Sequence, residues 1–283
     1  MSLKRRLTDR IFWVVCGVAF LLIAAPSISV LVSVFHQAVP ALGWQLFSHR
    51  TNAKATGLQN AILGSLILLV GVLVVAGSVG VAAGIYLAEY ATGRTEKLLR
   101  FFSEILAGMP SIVIGYIAYL TLVVQFHWGY SLLAAVIALS ALVLPYIVKT
   151  TEVALRQVPT AIREAGAGLG MPRTATLTRM LLPTALPGIV SGLIVALAIS
   201  TGELAPLLFT AGFTDTNPKL QLLHQQVPYL TNVIYTDISL PGSRAHATAA
   251  AAGLLSLLLL VILITAGRLV ARRARRQTAR MSL

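Results

Sequence analysis

Long runs without any charged residue limit the folds open to this chain more than any other feature of it. Asp, Glu, Lys and Arg are absent from residues 11–49, 55–88, 105–148, 180–202 and 245–267. A helix that crosses a bilayer needs about 20 apolar residues, so the run 105–148 is long enough for two helices, divided at His127–Gly129. The sequence therefore predicts an all-α integral membrane protein. Its six expected spans lie near 11–35, 58–88, 105–126, 130–148, 184–208 and 247–267.

The low proportion of charged residues supports the same class. Only 11% of the 283 residues are charged, whereas soluble domains carry about 25%. This composition excludes a soluble enzyme and a disordered tail, and the single Cys16 excludes a scaffold held by internal disulfides. The first apolar stretch is longer than the roughly 7–15 residues of a cleavable signal core, so we expect it to remain as the first span.

The distribution of basic residues predicts the orientation. Eighteen of the 22 Lys and Arg residues lie before the first span, in 89–104, in 149–183 and after residue 267. The positive-inside rule therefore predicts that both termini are cytoplasmic: a basic N-terminus at 1–10, a six-helix transmembrane domain at 11–267 and a basic tail at 268–283. Aromatic residues do not interleave with these clusters, so we expect anionic lipid head groups rather than nucleic acid as their partners.

Several chemical motifs are absent from the sequence. No Lys follows a Gly, so the phosphate-binding loop of ATPases is missing. The expected spans also contain no H-E-x-x-H motif, no paired carboxylates and no Cys/His cluster. We therefore expect no catalytic residue, no metal and no cofactor bound by this chain.

The segment 149–183 is polar but carries regularly placed apolar residues. Glu164 and Ala165 are expected to begin a short helix that ends near Gly170, and Pro183 is expected to mark a bend at the return to the membrane. The residues alone leave two interpretations open. The segment is either a docking element for a soluble partner or an ordinary amphipathic connector at the membrane surface.

The spacing of this segment resembles the EAA loop of type I ABC importer permeases. That pattern is E-A-A, three residues, Gly, nine residues and I-x-L-P. In this chain it is Glu164-Ala165-Gly166, then Gly170, then Met180-Leu181-Leu182-Pro183. Gly replaces the second Ala, and Met replaces Ile. The resemblance implies the six-span permease fold of that family, and it implies that these residues couple the chain to a separate ATPase that uses ATP and Mg²⁺.

Three further segments resemble the A-type permeases of phosphate-specific (Pst) importers: GIYLAEYATG at 84–93, LAGMPSIVIGYIAY at 106–119 and TGELAPLLFTAG at 201–212. The resemblance implies a multi-pass protein of the bacterial inner membrane that imports phosphate. It also implies three partners: a C-type companion permease, an ATPase dimer, and a phosphate-binding protein that docks on 36–57 and 209–246. Transport of phosphonate, molybdate or sulfate, and a membrane scaffold without transport, remain as alternatives.

Glu203 is the only acidic residue well inside an expected span. A carboxylate at membrane depth is costly, so it should face a water-filled path, or pair with a neighbouring helix as a purely structural group. The helix breakers around Pro110-Ser111 and Pro206 are expected to line the same translocation path. The Pst family commonly carries Arg four residues before this Glu, where this chain has Ile199. We therefore expect the companion permease to supply the cation for phosphate.

Overall fold

The computed structural model describes residues 3–52 and 55–281, which are almost entirely helical. A hairpin of two-residue strands, β1 (Thr51–Asn52) and β2 (Ala55–Thr56), pairs Thr51 with Thr56. The described helices are α1 (Leu3–Ala38), α2 (Trp44–Ser48), α3 (Gln59–Glu89), α4 (Gly93–Gly108), α5 (Ser111–Ala118), α6 (Leu132–Arg156), α7 (Thr160–Gly168), α8 (Arg173–Thr176), α9 (Leu182–Gly202), α10 (Ala205–Thr210), α11 (Leu230–Ser239) and α12 (Ser243–Met281).

Five helical segments of the described chain are long and apolar enough to cross a membrane: Asp9–Ala41, Gln59–Glu89, Leu132–Arg156, Arg173–Gly202 and Ser243–Arg273. A sixth span is formed by α4 and α5 together, which meet at an angle of 104°. Helix α1 lies apart from the rest and contacts mainly α12. The lengths and composition of these helices fit a polytopic membrane protein.

The expected span over 105–126 is broken at Met109 and Pro110, where the sequence places a helix breaker. Met109 is extended, with φ −77° and ψ 133°, and α5 begins only at Ser111. Proline has no N–H to donate, and it pushes the preceding residue out of the helical region. After Ala118 the helix widens into a π-helical segment, Tyr119–Gln125.

The expected helix over 184–208 is also interrupted. Helix α9 ends at Gly202, Glu203 is extended with ψ 132°, and α10 starts afresh with Pro206 in its first turn. At the other end, the helical backbone is continuous from Arg173 to Gly202, so Pro183 does not bend the chain as expected. The irregularity lies instead in a π-helical segment at Leu177–Leu181.

Helix α6 is the centre of the bundle and is longer than its expected span of 130–148. It continues to Arg156, so the first eight residues of the expected loop 149–183 are helical. Helices α3 and α9 pack closely on its two sides, because glycines remove the side chains that would separate them. The glycines at these contacts are Gly71, Gly80 and Gly84 of α3, and Gly188 and Gly192 of α9.

Contacts with α6 give the depth of the other elements. We call the end of the bundle that carries residues 157–172 the α7 end, and the end that carries residues 211–242 the α11 end. Arg100 of α4 contacts Glu152 near the α7 end, whereas Leu122 packs in one cluster with Ala134 near the α11 end. The bent pair α4–α5 therefore crosses the bundle as one broken span.

Candidate functional site

The two helix breaks lie next to each other, because α5 packs directly on α10. Gly115 makes this possible: a methyl group there would lie 2.6 Å from Cα of Pro206 and 3.2 Å from the carbonyl oxygen of Ala205. Pro206 is fully buried in this contact. Ser111 begins α5 one helical turn from Gly115, about 6 Å along the axis, and is partly exposed, as is Glu203. Pro110 is exposed at the break itself.

Glu203 lies in the half of the bundle towards the α11 end. Ser200, one turn before it, lines a small cavity with Leu139, and the carbonyl oxygen of Thr210 accepts from the N–H of Ser131 at the start of α6. The Glu203 main-chain oxygen accepts a hydrogen bond from Oγ1 of Thr231 at 3.1 Å. Among residues 9–51 and 57–273, whose side chains the structure describes, its carboxylate has no hydrogen-bond or ion-pair partner. A purely structural pairing within this part of the chain therefore finds no partner.

Ile199, the position where Arg was expected from the resemblance, is partly buried. It lines a groove of about 520 Å³ between α9 and α12 and also packs against the main apolar core. Arg268 of α12 lines the same groove. Helix α12 continues beyond the expected span of 247–267, so Arg268 stands on the same helix directly after that span.

The EAA-like segment forms a short helix whose exposed face carries the expected coupling residues. Helix α7 begins at Thr160, so Glu164 lies in its second turn and does not begin it, as expected from the sequence. Glu164 and Ala165 are exposed. Gly166 is buried, and a methyl group there would lie 2.7 Å from Cγ2 of Thr176. Small residues are therefore required on this side of α7.

The end of the same segment follows the glycine pattern. Gly170 has φ +68°, a conformation in the left-handed region that favours glycine. It ends the α7 turn, and the chain then starts α8 after Pro172. Leu182 and Pro183 are partly buried in the first turn of α9. They anchor the segment to the bundle, while Glu164 and Ala165 remain accessible.

Arg163 connects α7 to two other helices, and sequence reasoning missed it. Its Nη1 donates to Oε2 of Glu89 at 2.6 Å, and its Nη2 donates to the carbonyl oxygen of Leu155 at 2.9 Å. Glu89 is the last residue of α3, and Leu155 lies near the end of α6. The only signal in the sequence was that Glu89 and Arg163 both lie in segments that carry the family resemblance.

A second ionic cluster, also missed, surrounds Glu152 at the α7 end. Its carboxylate is buried and accepts a hydrogen bond from Arg100 Nη2 at 2.5 Å. It also forms ion pairs with Arg156 Nε at 2.8 Å and with Lys149 Nζ at 3.9 Å. The cluster borders a cavity of about 250 Å³ between α4 and α6. The spacing of Lys149, Glu152 and Arg156, three and four residues apart, is that of neighbours on one helical face. That spacing was the available signal.

The sequence also matches known proteins. Residues 80–276 match the family described as binding-protein-dependent transport system inner membrane component. The chain belongs to this family. A phosphate transport system permease protein PstA 2 of Mycobacterium bovis is 43% identical over 277 residues, which cover 98% of this chain and 92% of that protein. PstA 1 of Mycobacterium tuberculosis is 32% identical over 247 residues, covering 85% and 81% of the two chains.

Solved permease structures share the fold. One permease chain from a bacterial alginate ABC transporter, bound to a periplasmic protein carrying alginate pentasaccharide, matches 95% of this chain and 96% of its own length, with a TM-score of 0.65 at 15% identity. A chain of the inward-facing MetNI methionine ABC transporter covers 77% of this permease and 97% of its own length, with a TM-score of 0.62 at 19% identity. The expected type I ABC importer permease fold is therefore confirmed.

Family and fold together give the general role of the chain. It is a multi-pass inner-membrane permease subunit of an ABC importer. Its relatives are membrane components and not catalysts, since ATP hydrolysis belongs to a separate subunit in this class of transporter.

Proposed function

We propose that this permease is the A-type membrane subunit of an ATP-driven phosphate importer. The observation that carries the proposal is the 43% identity, over 98% of the chain, to a protein named as a phosphate transport system permease. A Xylella fastidiosa protein named PstA supports it, at 40% identity over 178 residues that cover 62% of each chain.

In this proposal the α7 end is cytoplasmic, as are both termini. The exposed Glu164 and Ala165 of α7 contact one subunit of an ATPase dimer, which binds ATP and Mg²⁺ itself. The α11 end faces outward and receives a phosphate-binding protein. Trp44 and Leu220, each 82% exposed, lie in the two outward segments, 36–57 and 209–246.

The translocation path runs past the contact between α5 and α10. Glu203 and Ser111 line it, while Pro110 and Pro206 hold the two helix breaks. A carboxylate repels phosphate, so Glu203 serves as the partner of a cation and does not bind the anion. With Ile199 in place of the expected Arg, an Arg of the companion permease supplies that charge and pairs with Glu203 when phosphate is absent.

The test is reconstitution of the complete importer in proteoliposomes: this chain, the companion permease, the ATPase and the binding protein. We expect uptake of radiolabelled phosphate that depends on ATP and is not displaced by excess sulfate, molybdate or phosphonate. Uptake of one of those anions in place of phosphate would assign a different substrate. Absence of any uptake in a fully assembled complex would contradict a transport role and would favour the alternative of a membrane scaffold.

The coupling surface is tested separately with Glu164→Lys. We expect this variant to insert and assemble, but to lose phosphate uptake while the ATPase still turns over. Glu104→Lys is the matched control, because Glu104 is an exposed carboxylate on α4 and the charge change is the same. Normal uptake by the Glu164 variant would show that α7 does not dock the ATPase through this residue.

A further inference from the structure

Arg163 joins three helices through one side chain. Its guanidinium bonds to the Glu89 carboxylate of α3 and to the Leu155 carbonyl of α6, while its own backbone belongs to α7. Both acceptors lie at helix C-terminal ends, where carbonyl groups lack intrahelical partners and where a cation is favoured. Arg163 thus occupies a point at which two membrane helices present negative charge towards α7.

The carboxylate of the pair is largely shielded from water, and the guanidinium is partly exposed. The side chain of Glu89 is 14% exposed, and that of Arg163 is 31% exposed. The second carboxylate oxygen, Oε1 of Glu89, is buried and has no hydrogen-bond partner among the residues that the structure describes. Arg163 is therefore the cation that compensates this carboxylate within that part of the chain, and its loss would leave a shielded charge unpaired.

The other attachments of α7 are of a different kind. Ile162 packs against the apolar cluster of Leu155, Val158 and Leu177, and Gly166 packs on Thr176 of α8. The same cluster takes in Ile85 and Ala88 of α3, so these apolar contacts hold α7 to its own loop and to the ends of α3, α6 and α9. The link from Arg163 to α3 is polar. It joins residues 74 apart in the chain, and α3 packs along α6 through most of its length.

We propose that the Arg163–Glu89 pair is the joint through which movement of α7 reaches α3, and with it the central helices of the path. The proposal deepens the proposed function, because it rests on α7 as the surface that the ATPase moves. Arg163 and Glu89 are positioning residues: they touch neither ATP nor the transported anion. A short ion pair with a fixed guanidinium transmits both a push and a pull, whereas the apolar contacts of Ile162 allow sliding.

The test compares Arg163→Glu, Glu89→Arg and the double exchange in the reconstituted importer. The quantity measured is the number of anions taken up per ATP hydrolysed. Each single exchange places like charges together, and we expect the ratio to fall about tenfold. We expect the double exchange to recover most of it, and Arg163→Lys, which keeps one charged contact but not both bonds, to be intermediate.

A second measurement needs no substrate. Amide hydrogen exchange of α7 in the purified complex reports its attachment to the bundle. We expect the amide hydrogens of α7 to exchange faster in Arg163→Glu and in Glu89→Arg than in the wild type. In the double variant we expect the rate to return towards that of the wild type. Lys97→Glu, an exposed charge reversal on α4, is the matched control and should leave both readouts at the wild-type value.

The outcomes separate the two proposals. If the wild-type importer does not transport phosphate, the proposed substrate is wrong. Amide hydrogen exchange of α7 still tests the role of the Arg163–Glu89 pair in that case. If Arg163→Glu keeps the wild-type rate of amide hydrogen exchange in α7 and the wild-type number of anions taken up per ATP, the proposed role of the Arg163–Glu89 pair is overturned. Loss of assembly in both single variants, with no recovery in the double variant, would also overturn it, because it would assign the pair to folding alone.

Discussion

Replacement of Gly115 by alanine tests the contact between the two broken helices. The added methyl group would lie 2.6 Å from Cα of Pro206, whereas carbon atoms pack at about 3.5–4.0 Å. The obstacle is backbone and cannot rotate away, so α5 and α10 must separate by about 1 Å. Overpacking of this kind costs about 1–3 kcal/mol, and the better helix propensity of alanine returns part of it. We expect a net loss of about 1–2 kcal/mol in the free energy of unfolding.

The assay combines thermal unfolding of the purified complex with phosphate uptake in proteoliposomes. Gly108→Ala is the matched control, because Gly108 ends α4 at the same helix break but has no atom within 4 Å of the added methyl group. We expect Gly115→Ala to be less stable and slower in uptake, and Gly108→Ala to resemble the wild type in both. Equal stability and equal uptake of the two variants would refute a close packing contact between α5 and α10 beside the path.

Three further substitutions extend these tests. Glu203→Gln should lower phosphate uptake strongly at an unchanged amount of membrane-assembled subunit, since it removes the charge and keeps the size; loss of the subunit on immunoblots would instead favour a structural role. Glu152→Gln should lower the unfolding temperature by removing the shared charged partner of Arg100 and Arg156, at a cost of about 2 kcal/mol. Gly166→Ala should accelerate hydrogen exchange in α7, and a second change, Thr176→Ala, should reverse this, because the clash is with its side chain.

The residues of the sequence were enough to predict the class of the protein. The uncharged runs identified the membrane spans, because transfer into lipid depends on local composition summed over about 20 residues. The spacing from Glu164 to Pro183 indicated the family through a resemblance, and the family is confirmed. The orientation and the roles of Glu164 and Glu203 stay predictions.

The places where helices stop were harder to read from the sequence. Pro110 was expected as a helix breaker, and the structure breaks the helix there; the 104° turn by which α5 reaches α10 was not part of that prediction. Pro183, an expected bend, lies in a continuous helix, and the π-helical segment Leu177–Leu181 directly before it is the local irregularity beside the proline. The same residue type thus ends one helix and is contained in another.

The sequence by itself determined that this chain crosses a membrane several times and carries a polar segment with the family's spacing, because apolar content and short-range spacing are local properties. Only the tertiary structure decided which residues meet. Arg163 and Glu89 are 74 residues apart, and Gly115 differs from Gly108 only in what packs against it. Such contacts arise from the way α3, α6 and α9 lie side by side, and a pattern read along one chain does not contain the distances between helices.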